Sequence, residues 1–270
     1  MLRSGICHQA QLESEPFQGW ATRMGERRLH LHRKVWEWCF IAQALQERGQ
    51  LGPGRRGLGF AVGQEPLPAL FASLGCQITA TDQTTDAARS GGWVDAAMHA
   101  ADRAELNRRA LCPPKEFSER VEFRFVDMRA VPDDLSGFDF VWSACSLEHL
   151  GSLEAGEAFI FDALKCLRPG GIAVHTTEFN LSSEDETMGA GGLGDGRAWP
   201  TGLYRRQDLE RIGQRLRDEC HAISLSFNLG AGKADWSVDR PPYQQQVHLR
   251  LELGEFVTTS YGLIIEKDGG

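Results

Sequence analysis

The side chains best suited to chemistry in this chain gather where short apolar runs end. Asp82 closes the run Gln77-Ile78-Thr79-Ala80-Thr81, downstream of a turn of mostly small residues, Gly59-Phe60-Ala61-Val62-Gly63, with Glu65 two residues past the turn. A carboxylate at a strand tip can accept two hydrogen bonds from a ribose diol, and small residues let the backbone approach a ligand closely. Asp127 closes a second run, Val121 to Val126, at a position where Asp is also a common turn former. Glu148 and His149 follow a third run, and His175 and Glu178 lie around a fourth. A histidine titrating near neutrality is a natural proton acceptor, so His149 is the first candidate for a base and Glu178 the second. His175/Glu178 and Glu148/His149 could suggest a metal, but neither pair brings a third and fourth ligand at helical or turn spacing, and no metal is expected. Glu184, Asp185 and Glu186 read as solvated charge.

These side chains need elements to position them. Arg56 to Phe60 reads as a strand, and Pro66 and Pro68 suit the first turn of a helix, where a missing N–H costs nothing. Leu67, Leu70, Phe71 and Leu74 follow at helical spacing until Gly75 stops the helix. The next strand ends on Asp82. Free N–H groups at a helix start, a close backbone turn and a carboxylate beyond make an adenosine-binding design. Strands are also expected over 121–126, 138–142 and 172–175, with helices over 96–109 and 153–167. Residues 29–48 read as a further helix, ended by Gly49, with Val35, Trp36, Cys39, Phe40, Ala44 and Leu45 as its apolar stripe. That helix either packs on the sheet or lies across the mouth of the cleft. Trp93 could stack on a base or be buried for structural reasons.

A dinucleotide site asks for G-x-G-x-x-G; Gly57 and Gly59 fit, but the sixth position is Val62. The spacing instead resembles the acidic-x-Gly-x-Gly-x-Gly motif of class I S-adenosylmethionine-dependent methyltransferases of the bacterial small-molecule type. Gly59 and Gly63 match, Ala61 replaces the middle glycine, and Gly57 stands where the family has an acid that contacts the methionine part of the cofactor. Glu65 is the nearest substitute for that acid and equally reads as an ordinary first-turn helix acid. Asp127-Met128 resembles the family's adenine-binding step, FDFVWSACSLEHL (138–150) its fourth strand and following loop, and Leu-Arg-Pro-Gly-Gly (167–171) its turn into strand five. The resemblance implies an α/β fold with a Rossmann-like seven-stranded sheet, mostly parallel with an antiparallel last strand. It also implies S-adenosyl-L-methionine as cofactor, held by Gly59, Phe60, Ala61, Gly63, Glu65, Asp82, Gln83, Asp127, Met128 and Ser143. Residues 51–270 would be the methyltransferase domain and 1–50 an N-terminal helical cap or extension.

With 270 residues and 41% hydrophobic content, the chain can bury a sizeable core. Its net charge of -8 speaks against a broad phosphate-binding face, so no nucleic-acid partner is expected. There is no apolar run long enough for a membrane span and no signal-like segment in residues 1–20. Seven cysteines without a C-x-x-C pair suit a reduced, cytoplasmic setting. Residues 1–28 read as a partly ordered leader with Phe17 and Trp20 as anchors. The glycine-rich stretch 180–204 reads as an insertion on the acceptor side. Residues 203–218 read as helix, and 223–229, 247–253 and 258–266 as the last strands. The expected function is methyl transfer to a small-molecule or glycan-like acceptor. An NAD(P)-dependent oxidoreductase and a non-catalytic adenosine-cofactor-binding protein are the alternatives. Nothing in the sequence sets the oligomeric state, and pairing into a homodimer is compatible with it.

Overall fold

The structure is a computed structural model that describes residues 1–94, 98–189 and 201–270. The chain opens with β1 (Gly5–Ile6), α1 (Gln9–Glu13), α2 (Glu15–Arg23) and α3 (Arg33–Glu47). Alternation follows through β2 (Arg56–Phe60), α4 (Leu67–Ser73), β3 (Gln77–Asp82), α5 (Thr85–Ser90), α6 (Pro114–Arg120), β4 (Val121–Phe125) and β5 (Phe138–Ala144). Then come α7 (Leu153–Lys165), β6 (Leu167–Asn180), α8 (Arg206–Asp218), β7 (Val238–Asp239), β8 (Arg250–Leu253) and β9 (Phe256–Glu266).

The strands form one sheet in the order β4-β3-β2-β5-β6-β9-β8-β7, with β1 added on β9. β4, β3, β2, β5 and β6 run parallel, each joined to the next by a crossover, and β9 runs antiparallel to both β6 and β8. The sheet has nine strands rather than the seven expected. The difference is β1 and β7, two residues each, added at the β9–β8 side. The expected mostly parallel sheet with an antiparallel last strand is otherwise what the chain forms.

Alternating side chains feed two cores. Phe140 and Trp142 of β5, Ile172 and Val174 of β6 and Ile264 of β9 pack under α2, α3 and α4. Val141, Ala173, Leu263 and Ile265 face the opposite side, under α7 and α8. On the first face, β2 contributes almost no side-chain volume, and the neighbouring strand uses the room. Gly57 pairs in register with Phe140 and Gly59 with Trp142. A Cβ at Gly57 would lie 2.3 Å from the Phe140 ring, and one at Gly59 would lie 2.3 Å from the Trp142 indole. Phe71 of α4 meets both rings edge-on, at 5.6 and 5.2 Å between centroids. Such pairs add roughly 0.5–1.5 kcal/mol each beyond the area they bury.

Several local expectations need correction. Residues 1–28 are not a loose leader: Leu12, Phe17 and Trp20 are buried, the Trp20 indole donates to Gln43 Oε1 (2.8 Å) and that of Trp36 to Gln11 Oε1 (2.7 Å). Residues 223–229 form no strand; β1 occupies the adjoining edge of β9, and only an isolated bridge links Leu225 to Ser4. The helix expected over 96–109 is absent from its described part, which holds only a short 3₁₀ turn, Arg103–Asn107, capped by Asp102. The Ala100 N–H is committed to Asp82 and cannot join a helical ladder. Residues 95–97 of that expectation lie outside the described residues. So do 190–200, the centre of the acceptor-side insertion.

Candidate functional site

At the C-terminal edge of β2, β3, β4 and β5 lies a cavity of about 580 Å³. Its floor is the turn after β2. Ala61 and Gly63 both take left-handed backbone, φ +47° and +51°. Gly63 has no alternative there, because a Cβ would fall 2.2 Å from the Met98 carbonyl oxygen. Asp82 is the clasp of this turn. Its Oδ2 accepts from the Gly63 N–H (3.1 Å) and the Ala100 N–H (3.2 Å), and its Oδ1 from the Gln83 N–H (2.8 Å). His99 Nδ1 lies 3.5 Å from the same Oδ2. Burial pushes the Asp82 carboxyl above its usual range, against the pull of these donors. A carboxylate offers about four acceptor positions, and three are taken. Asp82 therefore has room for about one hydrogen bond from a ligand hydroxyl, not the two a ribose diol would bring to a free carboxylate.

Glu65 also lines the cavity. Its Oε1 accepts the Trp142 indole N–H at 2.7 Å, and burial raises its carboxyl to about 8. Further along, Asp127 receives the Arg129 backbone N–H and two guanidinium bonds (2.9, 3.0 and 2.8 Å), which hold its carboxyl below the usual range. Met128 beside it is buried against the cavity wall.

The opposite wall comes from α3 and the turn after β5: Lys34, Trp38, Cys145, Ser146, His149 and Leu150. Helix α3 thus both packs on the sheet and reaches the cleft. Lys34 Nζ pairs with Glu37 Oε2 at 2.6 Å, and Arg33 pairs with Glu178 and, at 3.5 Å, with Glu37. Glu37 is fully buried, accepting also from Ser260 Oγ (2.6 Å) and Cys145 Sγ (3.1 Å). Burial alone would raise its carboxyl, but Lys34 and Arg33 outweigh that and hold it below the ordinary value. His149 faces Thr201 Oγ1 through Nδ1 (3.2 Å), meets the Trp93 ring edge-on at 4.7 Å, and has Nε2 4.0 Å from Glu148 Oε1. Glu148 is buried, accepts from Thr177 Oγ1 (3.1 Å), and is raised to about 8 by burial and the nearby Glu178 charge.

The site therefore unites Ala61, Gly63, Glu65, Asp82, Gln83, Asp127, Met128 and His149 on one cavity. Four expected members lie elsewhere. Gly59 sits under the Trp142 indole, and Phe60 is packed edge-on against Phe159 in the opposite core. Ser143 is buried with its Oγ 2.8 Å from His175 Nδ1. Glu178 is buried behind the cleft, bonded to Arg33 and to Thr258 Oγ1 (2.9 Å), and so is not placed as a base at the cavity. His175 is likewise a core residue, and burial lowers its imidazole to about 3. Lys34, Cys145 and Arg129 line the cavity without having been singled out from sequence. Lys34 alone left a trace there, as a cation three residues before a glutamate on a helix. Among the described residues no group of His, Cys, Asp and Glu could hold a metal, and no helix is long and apolar enough to cross a membrane.

No protein-family model and no curated protein matches the sequence. Solved structures do match the fold. The glycopeptide N-methyltransferase MtfA aligns over 88% of this chain and 97% of its own at 15% identity, with a TM-score of 0.51. Magnesium protoporphyrin IX methyltransferase (ChlM) from Synechocystis PCC 6803, with bound S-adenosylhomocysteine, aligns over 96% and 98% at 14% identity, also at 0.51. Strand order, the antiparallel β9 and these likenesses agree: the chain has the class I S-adenosylmethionine-dependent methyltransferase fold.

Proposed function

We propose that the protein is an S-adenosylmethionine-dependent methyltransferase acting on a small-molecule or glycan-like acceptor. The observation that carries this reading is the meeting on one cavity of the left-handed Ala61–Gly63 turn, the Asp82 carboxylate at the tip of β3, and Asp127-Met128 after β4. Asp82 takes one ribose hydroxyl on its remaining acceptor position, with Gln83 beside it. Asp127 and the Met128 N–H read the adenine edge, and Arg129 fixes Asp127 for that purpose. The turn from Ala61 to Gly63 lies along the methionine end. Residues 1–50 act as a cap, supplying the α3 wall of the acceptor side.

The cofactor supplies a methyl group on a sulfonium, already activated for in-line displacement. What the chain adds is chiefly alignment of acceptor and donor in a partly closed cleft. For a hydroxyl acceptor, His149 is the base on the cavity wall, its ring held by Thr201 Oγ1 at Nδ1. A nicotinamide dinucleotide would need a second mononucleotide half, whereas here the sheet continues beyond β6 with an antiparallel strand. Calorimetric titration with S-adenosylhomocysteine tests the reading. Saturable binding at micromolar concentrations is expected, and no heat or thermal stabilisation at millimolar ligand would overturn it.

A further inference from the structure

The family motif places an acid on the strand before the glycine turn, and here that position is Gly57. The structure gives the physical reason an acid cannot return there alone: the Phe140 ring already occupies the space, 2.3 Å from any Cβ. An amino acid zwitterion would then enter a cavity with no acid at the usual place. The charges on the wall supply another. Glu65 is held at the cavity by the Trp142 indole N–H, and Trp142 can sit there only because Gly59 has no side chain. Lys34 projects from α3 onto the same cavity, close enough for its charge to act on the Glu65 carboxyl. Among the described residues it pairs with Glu37, which leaves further N–H donors on an ammonium that has three.

We propose that Glu65 and Lys34 form a two-sided clamp for the methionine end of S-adenosylmethionine, Glu65 on the α-ammonium and Lys34 on the α-carboxylate. The proposal rests on the cofactor reading above. It makes α3, outside the glycine motif, part of the cofactor site, and it moves the family's acid from β2 to the approach to α4. It also sets what the site selects: an adenosine that carries an amino acid, in preference to adenosine alone.

The groups acting on Glu65 are Trp142 from β5, Lys34 and Glu37 from α3, and Asp82 from β3. With no ligand, burial keeps this carboxyl mostly protonated at neutral pH, since it is raised to about 8. An ammonium bound against it favours the carboxylate, so binding expels a proton. At pH 7 that amounts to the larger part of a proton per ligand, and affinity rises with pH up to about 8, by at most about tenfold per unit.

The test is titration calorimetry in two buffers of different ionisation enthalpy, on wild type, Glu65→Gln and Lys34→Met. The ligands are S-adenosylhomocysteine and 5′-methylthioadenosine, which lacks the amino acid. Wild type should release close to one proton with the first ligand and almost none with the second. Glu65→Gln keeps the acceptor for Trp142. It should weaken S-adenosylhomocysteine about 10- to 100-fold, leave methylthioadenosine within about twofold, and abolish proton release. Lys34→Met should show the same split of affinities. Equal loss of both ligands, no loss of either, or no proton release from wild type would overturn the clamp while leaving the cofactor reading standing. If neither ligand binds wild type, both fall together.

Discussion

Replacing Asp82 separates a ligand contact from a structural one. Its carboxylate takes the N–H groups of Gly63, Ala100 and Gln83, and the first two of these bonds are buried. Asp82→Ala leaves those two donors without an acceptor, at about 1–3 kcal/mol each. The cavity beside Asp82 lets water reach part of the vacated space, which trims the total to about 2–5 kcal/mol. Against a typical stability of about 5–15 kcal/mol, the variant should still fold but with a clearly lower urea midpoint. Asp82→Asn retains one oxygen and should fall between the two, losing about 1–2 kcal/mol. Both variants should lose affinity for S-adenosylhomocysteine when titrated under conditions where they remain folded. An Asp82→Ala midpoint within about 0.5 kcal/mol of wild type would refute the claim that this acid holds the glycine turn in place.

Gly59→Ala forces the Trp142 indole aside and should cost about 1–3 kcal/mol in urea unfolding, with a shifted tryptophan emission; an unchanged spectrum and midpoint would contradict the packing described. Glu37→Gln takes the carboxylate from Lys34 and one of two from Arg33 among the described residues, and should cost about 2–4 kcal/mol by the same measurement. Stability should also fall as pH rises from about 7 to 8. Glu65 and Glu148 keep their protons up to about 8 when folded but release them near 4.5 when unfolded, so their contribution falls between those values. Below about 6.5 the buried His32 and His175, which take up protons only on unfolding, oppose that fall. Each contributes a slope of at most about 1.4 kcal/mol per pH unit, which Glu148→Gln or Glu65→Gln should remove. Urea midpoints between pH 7 and 8.5 that stay flat would contradict this.

The parallel half of the sheet was legible because its signals are local. Apolar runs end on Asp82 and Asp127, proline and glycine bracket α4, and each crossover is long enough to return the chain in parallel. Non-local events were not legible. The run 223–229 alternates like a strand, but the edge it would need is taken by Gly5–Ile6 from the far end of the chain. Residues 96–109 look helical by composition, yet Ala100 is drawn to Asp82 across the cleft. In the site, Asp82 and Asp127 could be read from the sequence as strand-tip acids, and both line the cavity. A place for α3 at the cleft was one of two sequence readings, but nothing in the sequence of Arg33, Lys34 and Glu37 reveals that a buried carboxylate is shared with Ser260 and Cys145. Gly59 carries a second meaning that the motif hides. It matches a cofactor motif, but its lack of a side chain serves the indole of the next strand.

The insertion of Phe140 and Trp142 over bare backbone at Gly57 and Gly59 ties the history of two strands together. Any change that restores bulk on one must remove it from the other, so positions 57 and 140 can drift only as a pair. Gly57→Asp alone should be disruptive, while the same change joined to Phe140→Ala should be far better tolerated than the sum of its parts. A recognition pattern written around an obligatory acid at that position would pass over any sequence that had made this exchange.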